Sequence, residues 1–244
     1  MEAYRTEYAK GRQDERYGDP EWWPKVARPY FMSVIKALKD HDVQGPVVDC
    51  GAGWGGLLAL MRENGFDASG VELSDDQVAY ARSRGLPMEQ GDLTALKARD
   101  GTISAITLMT VFEHLTNHAR LLADARRLLR DRGLLVTLHP TSACYRIAAQ
   151  VLRLGNRQKE LPDLDGSFAA PWHTILPSIE ATIDLVSRAG FALRAVYPAP
   201  QGRRGGLVGM VQLGLEWTNK IGWSVFGRRW PLVTTHVFVF QKTD

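Results

Sequence analysis

The chain has 244 residues, 45% of them hydrophobic, and a formal net charge of +3 at neutral pH, so one α/β domain spanning residues 1–244 is the natural expectation. Its basic residues form no continuous run, which argues against a nucleic-acid partner. Two cysteines, a polar N-terminal segment and the lack of an apolar stretch of membrane-spanning length predict a cytoplasmic protein without a disulfide framework.

The first predicted unit is an N-terminal helical cap over residues 1–44. Its start is rich in aromatic and charged residues, and apolar residues at helical spacing predict a helix from Pro29 to Leu38. The aromatic side chains are expected either to cover an active site or to pack the first helix against the domain. They are Tyr4, Tyr8, Tyr17, Trp22 and Trp23.

Residues 45–140 alternate between strand and helix patterns, which predicts a doubly wound α/β fold with a largely parallel sheet. Strands are predicted near 46–50, 67–72, 86–90, 103–109 and 133–139, with helices near 55–64, 75–84 and 117–130. Two insertions, 141–176 and 201–231, flank a further helix and strand. The first insertion is expected to be mostly loop with one short helix. Alternating residues near the C-terminus predict a closing antiparallel strand.

The most informative stretch is VVDCGAGWGG at residues 47–56. An apolar strand pattern reaches Asp49 and then passes into a turn containing Gly51 and Gly53, which lets backbone N–H groups approach a ligand closely. Glu72, at the end of the next strand pattern, is a carboxylate of the kind that binds ribose hydroxyls. Together these residues predict a nucleoside-containing cofactor. The GxGxxG spacing is also met, so a nicotinamide or flavin cofactor is the direct competitor.

Four segments make the chain resemble the class I S-adenosylmethionine-dependent methyltransferases from about residue 45 to the C-terminus. They are VVDCGAGWGG, GVELS, QGDL and the run from TLMTVFEHL through LLVTLHP. A single Gly133 stands where two glycines are common in that family, which is a small departure. The resemblance implies a Rossmann-like seven-stranded sheet with an antiparallel last strand. It also implies S-adenosylmethionine as cofactor and S-adenosylhomocysteine as product.

The resemblance further implies which residues bind this cofactor. The second-strand carboxylate would hold the ribose hydroxyls, the QGDL segment would contact adenine, and the end of the fourth strand would line the methionine portion. For Glu72 the alternative is a solvated surface carboxylate, and for Asp92 it is a helix N-cap. The implied cofactor-binding residues are Asp49, Gly51, Gly53, Glu72, Leu73, Asp92, Leu93, Met109, Thr110 and His114.

Methyl transfer needs a general base only where the acceptor still carries its proton. His173 is the first choice, because its segment resembles one found in small-molecule methyltransferases. His139 is the second, because it ends the fifth strand, and His114 is a further candidate. A structural role is the alternative for each. No metal is expected, because Thr110 stands where related quinone O-methyltransferases carry an additional acidic residue, and one carboxylate beside one imidazole makes a poor hard-cation site.

The acceptor is predicted to be small and apolar or aromatic, with O-methylation favoured over N- or C-methylation. This expectation comes from segment 201–231, where a broad apolar helix face lies between the pairs Arg203–Arg204 and Arg228–Arg229. The segment is expected to form a pocket wall, a peripheral membrane contact, a core helix or a homodimer interface. For the whole chain, the alternatives are a methyltransferase of RNA or protein, a dinucleotide oxidoreductase and a non-catalytic binding protein.

Overall fold

A computed structural model describes residues 27–96, 100–156, 173–200 and 206–244, with the backbone alone described for 206–212. The N-terminal aromatic residues, the pair Arg203–Arg204 and residues 157–172 of the first insertion lie outside these ranges. The expectations placed on them therefore stay predictions.

The described residues form seven strands and seven α-helices, and their order follows the predicted alternation. The helices are α1 (Arg28–Asp40), α2 (Gly56–Glu63), α3 (Asp75–Ser83), α4 (His118–Leu128), α5 (Ser142–Leu154), α6 (Ile179–Arg188) and α7 (Gly206–Phe226). The strands are β1 (Pro46–Cys50), β2 (Asp67–Glu72), β3 (Met88–Gln90), β4 (Ile103–Met109), β5 (Leu129–Pro140), β6 (Phe191–Pro198) and β7 (Thr235–Lys242).

All seven strands belong to one sheet with the order β3-β2-β1-β4-β5-β7-β6. The contacts among β1 to β5 are parallel, whereas β7 runs antiparallel to both of its neighbours. The predicted Rossmann-like sheet with an antiparallel last strand is therefore confirmed. The order in which strands are added reverses between β1 and β4, since β2 and β3 lie on one side of β1 and β4 and β5 on the other. Open α/β sheets bind ligands at such a point.

Helices cover both faces of this sheet, so its central strands are apolar on both sides. Successive residues of β1 show this division, because Val47 packs with α1 and α2 while Val48 packs with α4 and α6. On the first face, α1 contributes Phe31, Ile35 and Leu38 to the core. The predicted first helix is thus present, and its buried side packs against the domain.

The first insertion holds more helix than the sequence suggested. Residues 142–154 form the 13-residue helix α5, where a short helix in a mostly looped segment was expected. Its apolar residues recur at helical spacing, and the first glycine of the segment, Gly155, is the helix C-cap. Both α5 and α7 adjoin one edge of the sheet, where β5 ends and β7 begins, since Pro140 pairs with Thr235.

Candidate cofactor and acceptor site

The glycine loop after β1 adopts backbone angles that residues with a Cβ atom rarely adopt. Gly51 and Gly53 have φ values of +74° and +55°, in the left-handed region. A Cβ atom at Gly51 would lie 2.4 Å from Cγ2 of Val111, whereas a Cβ at Gly53 would have no atom within 4 Å. The first glycine is therefore required for packing, and the second borders open space at the ligand edge of the sheet.

Glu72 fastens this loop to the end of β2. One carboxylate oxygen accepts a hydrogen bond from the N–H of Gly53 at 2.9 Å, and the other accepts from the N–H groups of Leu73 and Ser74 at 2.7 and 3.0 Å. The side chain is buried, so the alternative of a solvated surface carboxylate is wrong. Because a carboxylate has about four lone-pair positions, capacity is left for a ligand hydroxyl.

Asp49 lies beneath the loop rather than in it. It is 1% exposed and accepts a hydrogen bond from Oγ1 of Thr107 at 2.7 Å. Burial raises the pKa of Asp49 to about 7, the Thr107 hydrogen bond opposes this shift, and the charge of Glu72 adds to it. This placement makes Asp49 a residue that positions the strand end rather than one that touches a ligand.

The residues expected around adenine are divided between surface and core. Asp92 caps the short 3-10 helix Leu93–Ala95 by accepting from the N–H of Thr94 at 2.9 Å, so the N-cap alternative is confirmed. The side-chain hydrogen bond from Thr94 is the main reason that the pKa of Asp92 is lowered. Leu93 is fully buried in the core, whereas Leu73 is 36% exposed at the end of β2 and can pack on a planar ring.

At the end of β4, the backbone leaves the sheet through an unusual conformation. Met109 is its last residue, and Thr110 has a φ of +51°, a value that β-branched residues rarely adopt. The N–H of Thr110 donates to the carbonyl of Leu138 at 2.8 Å, which holds the strained residue in place. Such backbone is found preferentially at functional sites.

His139 lies in the core, not in the site. Its side chain is 0% exposed and is stacked between Phe112 and Phe238, with ring centroids 4.7 and 4.8 Å away. Burial, followed by the nearby His236 and His118, lowers the pKa of His139 to about 3. An imidazole enclosed in this way cannot reach an acceptor, so the expectation that His139 could act as a base is not supported.

His173 and His114 instead lie together, with ring centroids 4.9 Å apart. The fold joins them by docking the chain after His173 onto the turn after β4. The N–H of Thr174 donates to the carbonyl of Glu113 at 2.9 Å, and Oγ1 of Thr174 donates to the carbonyl of Leu115 at 2.8 Å. Residues far apart in sequence thereby meet at one end of β4.

Glu113 completes this group, although in the sequence it was considered only as the carboxylate of a poor hard-cation site. Ligand atoms of Glu113, His114 and His173 all lie within 4.8 Å of one another. Glu113 is 1% exposed, and its Oε2 has no hydrogen-bond partner among the described residues. Burial raises the pKa of its carboxyl to about 8. The sequence signal that could have revealed Glu113 is an acidic residue inside the otherwise largely apolar run MTVFEHL.

The same three side chains offer one carboxylate oxygen and two imidazole nitrogens. That donor set suits a borderline transition metal better than a hard cation. In the sequence only Glu113 and His114 are adjacent, and nothing there shows that His173 joins them. The expectation of a metal-free site stays a prediction.

Comparison with known proteins supplies the family context. The model of a family described as "Methyltransferase domain" matches residues 22–196. An uncharacterized 37.1 kDa protein in a transposon of Streptomyces fradiae is 31% identical over 177 residues, covering 62% of this chain and 50% of that protein. The ubiquinone biosynthesis O-methyltransferase of Methylococcus capsulatus is 26% identical over 152 residues, covering 55% of this chain and 64% of that protein. The matches thus span less than two thirds of these relatives.

A solved structure is similar over nearly the whole chain. It is magnesium protoporphyrin IX methyltransferase from Synechocystis with bound S-adenosylhomocysteine, with a TM-score of 0.63 at 13% identity. The similarity covers 99% of this chain and 97% of that one. At this level of identity, the likeness concerns the fold.

Proposed function

Because the chain belongs to the S-adenosylmethionine-dependent methyltransferases, we propose that it methylates a hydroxyl oxygen of a small, largely apolar acceptor. Two proteins similar to it are named for a ubiquinone pathway and for magnesium protoporphyrin IX, and both names refer to small, mainly apolar molecules. These names support the acceptor class. They do not identify the acceptor molecule of this chain.

The glycine loop and Glu72 fit S-adenosylmethionine, which supplies a methyl group on a sulfonium cation. The open space beside Gly53 admits a ligand close to the backbone. In this proposal, Glu72 accepts a hydrogen bond from a ribose hydroxyl with its remaining capacity. The exposed side chain of Leu73 packs on the adenine face, and Asp92 contacts the adenine edge. The strand end at Met109 and Thr110 lines the methionine portion.

The observation that carries the proposal is the group formed by Glu113, His114 and His173. The 3-10 helix Phe112–His114 begins after Val111, the residue that packs against the glycine loop at Gly51. The group therefore lies beside the cofactor loop, at the carboxyl edge of the sheet. An acceptor bound there would have its oxygen close to the methyl group, as in-line transfer requires. The same oxygen would lie close to an imidazole that can take its proton.

In the proposed reaction, His173 takes the proton of the acceptor hydroxyl while the oxygen forms its bond to the methyl carbon. The sulfur keeps the electron pair of the broken C–S bond. Glu113 stabilises the imidazolium that forms on His173, because a buried carboxylate gains most from a neighbouring cation. His114, which packs against His173, holds the ring in position.

The test combines binding with product analysis. Titration calorimetry with S-adenosylmethionine and with NADH should give binding to the first cofactor alone. Incubation with labelled S-adenosylmethionine and a panel of phenols and quinols should then yield a product methylated on oxygen. Label transferred to RNA or protein, with none on the small acceptors, would contradict the proposed acceptor class.

A further inference from the structure

Helix α7 displays an apolar stripe on its outer side. Leu213, Trp217, Ile221 and Val225 recur every four residues and are 42%, 60%, 61% and 66% exposed, so they form a line along one face of the helix. In a solvated helix, this face would carry polar residues. We name these four residues the apolar stripe.

The opposite face of α7 is fixed to the domain, so the stripe cannot turn inward. Asn219 is buried and accepts a hydrogen bond from Nε1 of Trp230 at 2.9 Å. Trp223 packs on His236 with ring centroids 5.3 Å apart, and a Cβ at Gly222 would collide with Trp230. The helix therefore holds its apolar stripe outward as part of the folded structure.

The charges beside the stripe are positive. Arg228 and Arg229 follow the helix and are exposed, and neither has an acidic partner among the described residues. Lys220 lies on the outer face, over the ring of Trp217 at 5.5 Å. The one carboxylate between residues 213 and 229, Glu216, is half-buried and bonded to Lys220.

The position of the stripe relates it to the site. The turn that follows α7 leads into β7, and Thr234 accepts a hydrogen bond from the N–H of Thr141, just after β5, at 2.8 Å. Helix α7 therefore adjoins the carboxyl edge of the sheet, where the glycine loop also lies. Helix α5 begins at the same edge and exposes two further apolar side chains, Val151 and Leu154.

From this arrangement, we propose that α7 binds an anionic lipid surface, with the apolar stripe inserted among the acyl chains and Arg228 and Arg229 on the phosphates. Apolar area combined with basic residues is what interfacial helices use. A two-fold dimer through the same face would bring like charges of the two copies together. Among the described residues, no helix is long and apolar enough to cross a membrane.

This docking is independent of the proposed reaction, but it would bring the carboxyl edge of the sheet to a membrane. An acceptor dissolved in lipid could then reach the site without crossing water. That would explain why almost all exposed large apolar side chains of the described residues lie on α5 and α7, with Leu73 the exception.

The experiment is co-sedimentation of the full chain with vesicles of phosphatidylcholine, with and without phosphatidylglycerol. Wild type should bind the anionic vesicles and be released by high salt. Arg228→Gln/Arg229→Gln should weaken binding about tenfold or more, and Trp217→Ser/Ile221→Ser should abolish it. The matched control is Arg130→Gln/Arg132→Gln, which removes two exposed arginines at the start of β5 and should bind as wild type does.

Two outcomes would overturn the inference. One is that wild type does not bind anionic vesicles at low salt, or that its binding is unchanged in both Arg228→Gln/Arg229→Gln and Trp217→Ser/Ile221→Ser. The other is a dimer, seen by light scattering, that dissociates in Trp217→Ser/Ile221→Ser while no vesicle binding occurs. Methyl transfer to a water-soluble phenol, measured without lipid, tests the proposed reaction separately.

Discussion

Glu72 is a single side chain that both builds the cofactor loop and is proposed to bind the cofactor. Three backbone N–H groups, from Gly53, Leu73 and Ser74, donate to its carboxylate. These hydrogen bonds are made within the protein, so the loop conformation does not depend on contacts to a ligand, and binding needs less ordering.

Replacing Glu72 by Gln should weaken S-adenosylmethionine binding about 10- to 100-fold. The variant loses a charge-assisted hydrogen bond, worth about 1.5–3 kcal/mol. Calorimetry measures the change, and Glu63→Gln, an exposed position at the end of α2, is the matched control. An affinity equal to that of wild type would remove Glu72 from the cofactor site.

His173→Ala should lower turnover about a hundredfold if the acceptor is a hydroxyl, because the variant has no group to take the proton. Cofactor affinity should hardly change, which separates this effect from a damaged fold. His41→Ala, at the C-cap of α1, should keep full activity. Equal turnover in His173→Ala and wild type would indicate an acceptor that is already ionised.

Glu113 should make cofactor binding pH-dependent. Burial raises the pKa of its carboxyl to about 8, so at pH 7 the carboxyl is mainly protonated in the free protein. A sulfonium cation nearby would lower that pKa, and binding would release a proton. Affinity for S-adenosylmethionine should therefore increase as pH rises toward 8.

Calorimetry in buffers of different ionisation enthalpy measures this release. S-adenosylhomocysteine, which lacks the sulfonium charge, should bind without this proton release, and Glu113→Gln should abolish the release that accompanies S-adenosylmethionine binding. Identical proton release for the two cofactors would show that the carboxyl does not face the sulfonium.

Single residues were the hardest level to predict from the sequence. Glu72 and the loop glycines were identified because their spacing is local. The sequence could not distinguish His139 from His173, because enclosure between Phe112 and Phe238 depends on how the sheet and its helices pack. The group of Glu113, His114 and His173 was missed for a related reason. His173 comes from a distant segment of the chain, which meets the other two only because it docks onto the turn after β4.

At the level of elements, the glycine loop shows how backbone conformation selects sequence. Gly53 and Gly65 both have positive φ values, +55° and +86°, and a Cβ at either position would have no atom within 4 Å. They differ in location, since Gly53 lies in the glycine loop after β1 and Gly65 follows α2.

Gly53→Ala and Gly65→Ala should therefore cost similar folding stability, about 1–2 kcal/mol for a non-glycine residue in the left-handed region. Only Gly53→Ala should also weaken cofactor binding, because its methyl group enters the proposed ligand space. Chemical denaturation and calorimetry on both variants give the comparison. Equal cofactor affinity in the two would place the ligand elsewhere.

The elements themselves were largely predictable, because apolar periodicity is a local property. The five strands of the core and the closing antiparallel strand are present, although β3 is shorter and β5 longer than expected. Helix α5 was underestimated because proline and glycine residues later in the segment suggested a loop. The outward direction of the apolar stripe on α7 could not be predicted, since it depends on Asn219 and Trp223 being the packed side.

At the level of the whole molecule, two buried histidines link stability to pH. His139 and His236 are paired across β5 and β7, and burial lowers their pKa values to about 3 and about 4. The unfolded chain binds protons at these positions below pH 6.5 and the folded chain does not. Their contribution to stability is therefore complete above pH 6.5 and is lost as pH falls toward 4.

Asp49 and Glu113 act in the opposite direction, because burial raises their pKa values. The test is therefore a difference between variants rather than the wild-type slope alone. His139→Phe should gain stability relative to wild type on acidification, by up to about 1.4 kcal/mol per pH unit below pH 6.5. Urea denaturation at several pH values measures this, with His41→Phe as control. Parallel curves would show that His139 is protonated when folded.

The central position of β7 has a consequence for the order in which the molecule assembles. Strand β6 joins the sheet through β7, and β7 leaves the ribosome after β1 to β6. Until then, the β5 edge that will pair with residues 235–241 has unpaired backbone groups, and such an edge can recruit strands from other chains. Insertion of β7 also closes a long loop, a slow step in folding. We therefore expect the nascent domain to be most prone to aggregation immediately before β7 is inserted.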